Sequence, residues 1–298
     1  LANSPQVVHG FLSSPVSGIA ASPNGKSFAV ADNVLTVHEL KRNLISIVPV
    51  TAHPTTCRWS SRGVLAAVVN DGDGFGSCVH LWFPDRPMSM YRTRAYARDL
   101  RWNPEGTIFA MLTDSGIELV VERGGRWRRV CEFGAHFDAC AWSVRPVQTE
   151  PPSAHLVPSS TLTAVIDGDV VVLDMLHGPI FHARAPLDRV LAWSCAGELA
   201  GAFFPGGVAS SAITAEWAPD GAHLAAVGEG GRLEVWREGG VKVLEEDRSC
   251  TCVAWLDDDR LCAGYSAGEV FIHLLRRRAL PNAKKKMSRA LLFALARG

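Results

Sequence analysis

The sequence predicts an all-β fold in which about seven four-stranded sheets, with six as the alternative, form a ring followed by a short basic C-terminal helix. The first observation is a repeated segment: a short apolar strand ends in Trp, then comes a small polar residue and a Gly-containing turn. The second is spacing, since four of the six gaps between these segments are 38 to 43 residues, close to one four-stranded propeller blade. The third is strand length, because strands this short bury a face only if successive sheets stack. Together these observations predict a β-propeller.

The first strand of each predicted blade carries the Trp. The clear copies are Cys57-Arg-Trp59, Leu100-Arg-Trp102 and Ala215-Glu-Trp217. The looser copies end in Trp142, Trp193 and Trp255, and the first copy of all has Ala21 in the Trp position. One gap of 51 residues contains the Pro- and Ser-rich stretch 144–161, which we interpret as a loop insertion. One gap of 24 residues is too short for a whole blade, so the fifth blade is degenerate or Trp193 belongs to the preceding blade.

Two further strands follow each turn. The second strands are runs of small and branched apolar residues, and the third strands alternate between apolar and polar residues. Examples of third strands are Val79-His-Leu-Trp82, Leu233-Glu-Val-Trp236 and Val270-Phe-Ile-His273. The N-terminal residues 7–12 are expected to supply an outer strand for the last blade, because closing the ring removes a free sheet edge.

These turns and third strands resemble the repeat of the WD-repeat β-propeller family over residues 16–275. The sequence departs from the family pattern at the third-strand ends, where Trp82-Phe83 and Trp236-Arg237 stand in place of Trp-Asp. Ala52-His53 and Ala135-His136 look like altered forms of the Gly-His pair that opens a family repeat. The resemblance implies a rigid ring that presents loops and broad surfaces to other proteins.

A narrower resemblance, to the aladin type of nuclear-pore propeller, is carried by residues 98–173 and by the ending Ala267-Gly-Glu-Val-Phe-Ile-His273. It implies a subunit of a large assembly with a nuclear-envelope location. From both resemblances we expect a non-catalytic scaffold whose partners are other protein subunits, located in the cytoplasm or the nucleus and not secreted.

Motifs for catalysis or metal binding fit the expected strands poorly, so we predict no catalytic residue, cofactor or metal. Gly264-Tyr-Ser266-Ala-Gly268 matches the G-x-S-x-G elbow of hydrolases, but a strand follows and no Asp comes later. Asn70–Gly76 resembles the start of a calcium loop but has Phe75 at a ligand position. The ten His residues lack zinc-site spacing, and Asp257-Asp258-Asp259 is expected to be a solvated turn.

The alternative function is an enzyme that uses the central channel, which requires charged residues from several blades to meet at the axis. The first strands begin with few polar residues, namely Thr55, Asp99, Asp138, Thr214 and Thr251. A concave pocket at the axis that gathers at least three titratable groups with shifted pKa values would favour this alternative.

The C-terminal residues 276–298 differ in charge from the rest of the chain. They contain eight basic residues and no acid, whereas the other residues carry a formal charge of −8. Apolar residues after Pro281 recur at helical spacing, which predicts a cationic amphipathic helix. Its candidate interaction residues are Lys284, Lys285, Lys286, Arg289, Leu291, Leu292 and Leu295. The tail could dock on a partner, contact RNA or anionic lipid, or pack on the acidic ring itself.

Composition also bears on nucleic-acid attraction, membrane spans, secretion and the state of the cysteines. The 30 basic and 30 acidic residues cancel over the whole chain, so no net charge attracts it to nucleic acid. No apolar run reaches the roughly 18 residues that span a bilayer, and no signal-peptide pattern is visible. The eight Cys residues form no CxxC pair, and Cys57, Cys140, Cys252 and Cys262 lie in apolar runs, which indicates reduced, buried thiols.

Overall fold

The computed structural model describes residues 6–9, 14–42, 44–70, 76–143, 161–166, 169–174, 178–184, 192–193, 199–200, 212–237 and 241–275. Every regular element in these ranges is a β-strand, as the alternating and branched-apolar patterns predict. No helix within these ranges is long and apolar enough to cross a membrane.

The strands of the N-terminal half are β1 (Gln6–His9), β2 (Gly18–Ala21), β3 (Ser27–Ala31), β4 (Leu35–Glu39), β5 (Leu44–Val48), β6 (Pro54–Trp59), β7 (Leu65–Asn70), β8 (Ser77–Trp82), β9 (Ser89–Thr93), β10 (Ala97–Trp102), β11 (Ile108–Thr113), β12 (Gly116–Arg123) and β13 (Arg126–Phe133). The strands of the C-terminal half are β14 (Ala139–Ser143), β15 (Thr161–Ile166), β16 (Asp169–Asp174), β17 (Gly178–Arg184), β18 (Ala192–Trp193), β19 (Leu199–Ala200), β20 (Ala212–Trp217), β21 (His223–Gly228), β22 (Arg232–Arg237), β23 (Val241–Asp247), β24 (Cys250–Trp255), β25 (Arg260–Tyr265) and β26 (Val270–Leu274).

These strands form six antiparallel four-stranded sheets and one two-stranded sheet within the described ranges. In five of the larger sheets the strands follow chain order, from an inner first strand to an outer fourth strand: β2 to β5, β6 to β9, β10 to β13, β14 to β17 and β20 to β23. The sixth has the order β1-β26-β25-β24, so its outer strand comes from the other end of the chain. Strands β18 and β19 pair with each other.

The apolar core is divided into layers, each held between two neighbouring sheets. Leu65 of the second sheet packs with Leu35 of the first, and Leu81 packs with Phe109 of the third. At the other end of the chain, Val270 packs with Phe28, so the last sheet stacks on the first. The inner strands follow one another around a closed circuit in the order β2, β6, β10, β14, β18, β20, β24 and back to β2. The sheets therefore stand radially around an axis, as the sequence predicts.

The N-terminal strand closes the ring. β1 pairs antiparallel with β26, with Gln6 opposite Ile272. Two further contacts join the ends of the ring: the Thr251 hydroxyl donates to the Val16 carbonyl at 2.6 Å, and Arg260 donates to the Gly25 carbonyl at 3.2 Å. The expected closure by an N-terminal strand is thereby confirmed, although β1 begins one residue earlier than predicted and residues 10–13 lie outside the described ranges.

Several local expectations are also settled. The G-x-S-x-G segment is the turn between β25 and β26, in which Gly268 has a φ of +80° and its N–H donates to the Tyr265 carbonyl. This conformation favours glycine. The segment that resembles a calcium loop joins β7 to β8, two antiparallel neighbours, and residues 71–75 are outside the described ranges. Most of the predicted insertion 144–161 also lies outside them, although its last residue, Thr161, begins β15. Most of the degenerate fifth blade and the predicted C-terminal helix lie outside them as well.

Deleting residues 1–12 should lower the melting temperature by roughly 3–8 °C, because the deletion removes β1 and leaves the edge of β26 unpaired. Circular dichroism melting of the full chain and the deletion variant measures this difference. Deleting only residues 1–5 is the matched control, since it leaves β1 in place. Superimposable melting curves for all three proteins would contradict a closing role for β1.

Candidate functional site

The Trp residues that mark the repeat connect neighbouring sheets close to the axis. The indole Nε1–H of Trp102 donates to the Arg58 carbonyl at 3.3 Å, and that of Trp142 donates to the Arg101 carbonyl at 3.0 Å. Trp255 donates in the same way to the Glu216 carbonyl at 2.9 Å. In each case the acceptor is the residue before the Trp of the preceding four-stranded sheet. A Trp at the end of one inner strand therefore sets the distance to the inner strand beside it.

The side chains of the same acceptor residues form a charged cluster. Arg58 of β6 lies 3.6 Å from Asp99 of β10 and 3.3 Å from Glu216 of β20, measured between guanidinium nitrogen and carboxylate oxygen. Arg101 lies 2.8 Å from Asp99 and 3.8 Å from Glu216. The inner strands β6 and β20 are not neighbours in the ring, so the Arg58–Glu216 pair spans the axis.

Strand alternation explains why these positions face the axis. Cys57 and Trp59 pack in the apolar layer between the first two sheets, so Arg58, which lies between them in sequence, points to the opposite side. The equivalent residue before the Trp position is Ala20 in β2, Ala141 in β14 and Ala254 in β24, and all three are buried.

The electrostatics of the cluster follow from burial and opposite charges. Burial alone would raise the pKa of Asp99, but Arg101, Arg58 and the Leu100 N–H together lower it. Burial raises the pKa of Glu216 by more than Arg58 and Arg101 lower it. Burial alone would lower the pKa of Arg58, but Asp99 and Glu216 raise it. The two guanidinium groups and two carboxylates thus compensate one another.

The thiols near the inner strands are not nucleophiles. Burial raises the pKa of Cys57 and of Cys140 to about 12 and that of Cys252 to about 11. A thiol with so high a pKa is almost wholly protonated at neutral pH, and the thiolate is the reactive form. The predicted burial of Cys57, Cys140, Cys252 and Cys262 is confirmed, and all the described Cys residues are free thiols.

The axis gathers titratable groups with shifted pKa values, as the enzyme alternative requires. Three titratable groups with shifted pKa values do meet there, but only Asp99 was anticipated from the sequence. Thr55 and Thr251 instead bond to backbone carbonyls of the ring. Each carboxylate of the cluster contacts both guanidinium groups, so all four groups are paired within the cluster. The sequence analysis did not single out Arg58, Arg101 and Glu216. They share one signal, since each is a charged residue directly before a repeat Trp.

Other polar groups singled out in the sequence are buried with partners. The third-strand residues His38, His80 and His273 each lie within about 3.1 Å of a hydroxyl oxygen, and all three are buried. In the acidic turn Asp257-Asp258-Asp259, the Asp257 carboxylate forms an ion pair with the Arg260 guanidinium at 2.7 Å. Within the described ranges no group of three or more His, Cys, Asp or Glu side chains is placed to hold a metal ion. The seven candidate tail residues between Lys284 and Leu295 lie outside those ranges.

The outer strands form a rim that carries most of the exposed large apolar side chains of the described residues. Ten large apolar side chains of the described residues are exposed, and six of them lie on outer strands. These six are Ile45, Ile47, Met90, Val130, Val241 and Val243. Each outer strand is also hydrogen-bonded on one side only within the described sheets, so the rim combines apolar side chains with free backbone groups.

Two solved structures have the same overall fold. One is the β-propeller domain of Cps50 (Swd1) from Myceliophteria thermophila, with a TM-score of 0.70 and 14% sequence identity over 91% of this chain and 100% of that chain. The other is a chain of a mitotic checkpoint complex, with a TM-score of 0.67 and 14% identity over 92% of this chain and 91% of that chain. No protein-family model matches the sequence, and the search of curated proteins found no match. The two likenesses confirm the predicted β-propeller fold.

Replacing Asp99 in the Asp99→Asn variant should lower the free energy of unfolding by about 2–3 kcal/mol, because it leaves Arg58 and Arg101 with one acid between them. Urea denaturation at pH 7 measures the loss. Glu216→Gln is the comparison variant and should cost less, since the pKa of Glu216 is raised by burial and its ionised form is less favourable. An equal or larger loss for Glu216→Gln would contradict this ranking.

Acidification should remove the difference between wild type and Asp99→Asn. Because the pKa of Asp99 is lowered in the folded chain, the stabilisation is complete above the ordinary carboxyl pKa of about 3.9 and is lost as the pH falls through the lower folded value. The gap in unfolding free energy should stay constant from pH 7 to about pH 5 and shrink below about pH 4. A gap that shrinks already between pH 7 and pH 5 would show that another group is responsible.

Proposed function

We propose that this chain is a non-catalytic, WD40-like propeller that acts as a protein–protein interaction scaffold within a multiprotein assembly. The observation that carries the proposal is the rim, where exposed apolar side chains accompany free strand edges. Exposed apolar patches on a folded protein mark sites of interaction with other proteins. The partners we propose are other protein subunits, in the cytoplasm or the nucleus.

The axis supports a structural role over catalysis. Its charged groups are paired with one another across the ring, and its thiols are protonated. Catalysis by general acids and bases requires a group that can exchange a proton with the substrate. The paired cluster instead holds inner strands from different parts of the ring at fixed positions, which keeps the rim surfaces rigid. One of the two similar solved structures, a mitotic checkpoint complex, is itself an assembly.

For the architecture we propose seven blades formed by residues 1–275, with β18 and β19 belonging to the fifth. The circuit of inner strands supports this number, because β18 lies between β14 and β20. The basic residues 276–298 would then form a separate segment that leaves the seventh blade after Leu275. Leu275 is still attached to the ring, since its N–H donates to the Asp259 carbonyl at 2.8 Å.

The scaffold proposal is tested by placing a charge on the rim. Val130→Asp and Val241→Asp, on the outer strands of two different blades, should reduce recovery of co-purifying subunits about tenfold, because a buried unpaired carboxylate weakens an apolar interface. Affinity purification with quantitative mass spectrometry measures recovery. Lys26→Asp, on the exposed turn between β2 and β3 and away from the outer strands, is the control and should retain the partners. Equal recovery from all these proteins would contradict a role for these rim strands.

A second candidate function, RNA or anionic-membrane binding, is favoured by one observation, the eight basic residues and no acid in residues 276–298. If the tail binds a polyanion, binding of the full chain to single-stranded RNA or to phosphatidylserine vesicles should weaken steeply with salt, because bound counterions are released. Removing residues 276–298 should abolish the binding. Binding that persists in the shortened chain, or that is insensitive to salt, would exclude this function.

A further inference from the structure

The outer strands differ in how they are protected against pairing with another chain. Natural sheets block a free edge with a charged side chain, a proline or a β-bulge. Six outer strands are described, and four of them, β1, β13, β17 and β23, have a shift of register of the kind a bulge produces. A fifth, β9, is regular but carries Arg92. Only β5 among these six has neither a charged residue nor an irregularity.

Strand β5 is also the most exposed apolar strand of the rim. Its residues are Leu44-Ile-Ser-Ile-Val48, and they pair with β4 in unbroken register from Glu39 to Leu35. Ile47 is 72% exposed and Ile45 is 49% exposed, whereas Val48 is buried against the second sheet. Ile45 and Ile47 lie two residues apart and therefore on the same face of the strand. Among the described strands β5 pairs with β4 alone, so its outer edge there has unpaired backbone groups beside two exposed β-branched side chains.

The sequence of β5 is complementary to itself. In an antiparallel pair of two β5 strands that overlap completely, Ser46 faces Ser46 across a two-fold axis, and Ile45 of each copy faces Ile47 of the other. This register places all four isoleucines on one face and no like charges opposite each other. In the fully overlapping pair of β13 strands no arginine faces an arginine directly, but Arg128 of each copy would lie diagonally beside Arg129 of the other copy. Self-pairing is therefore favoured at β5 and opposed at β13.

We propose that two copies of this chain pair through their β5 strands, joining the two first blades into one continuous eight-stranded sheet with two-fold symmetry. The partner is a second copy because the strand is matched to its own sequence in charge, length and side-chain alternation. The contact lies on one blade of the rim and leaves the other outer strands accessible. It goes beyond the scaffold role, because a symmetric pair would present every other rim surface twice.

The first test is the oligomeric state of the full chain. Size-exclusion chromatography with light scattering should show a monomer–dimer equilibrium that depends on concentration. Ile47→Lys should weaken dimerisation at least about tenfold, because each copy then places a charge in the paired isoleucine face. Met90→Lys, at a 53% exposed position on β9, is the matched control and should dimerise like wild type. Circular dichroism melting should show that both variants remain folded, since both positions are exposed.

The second test locates the two-fold axis. In the Ser46→Cys variant the new thiols of the two copies face each other, at a separation that a disulfide can bridge. Mild oxidation should produce a covalent dimer from Ser46→Cys and not from the control Met90→Cys. A wild-type chain that stays monomeric up to its solubility limit would overturn the proposal. So would a dimer that survives Ile47→Lys, or a dimer in which Ser46→Cys does not cross-link.

Discussion

The hydrogen bond from a Trp indole to the backbone of the adjacent inner strand is the interaction on which the ring depends. It occurs between Trp102 and Arg58, between Trp142 and Arg101, and between Trp255 and Glu216. An indole is large enough to fill the apolar layer between two sheets and still carry a donor to its far side. Each of these three Trp residues therefore buries apolar surface and fixes the distance to the neighbouring inner strand.

The charged cluster extends this constraint across the axis. Burying ions is costly unless they are paired, and here two guanidinium groups are matched by two carboxylates from three inner strands. Burial alone would raise the pKa of both acids, and the two guanidinium groups outweigh this effect at Asp99 but not at Glu216. The same ion pairs connect three inner strands to one another across the axis.

The outer strands at the rim are less constrained by packing than the groups at the axis. They are bonded on one side, and their side chains gain little from burial in the ring, so their composition is free to serve contacts with other molecules. Most of these strands also carry a bulge or a charge that limits unspecific pairing. Exposed apolar side chains remain between these protective features. The stacked sheets hold the strands that carry them in fixed positions.

The sequence by itself determined the all-β class, the radial stacking of short strands, the N-terminal closing strand and the absence of a hydrolase elbow. It could do so because these properties depend on local periodicity, on Gly turns such as that at Gly268, and on a regular repeat length. Only the tertiary structure decided that Arg58, Asp99 and Glu216 meet at one point and that β5 has an unprotected edge. Residues so far apart in the chain become neighbours only when the ring closes, and whether a strand edge is free depends on which strands pair, so neither property is encoded in any local segment.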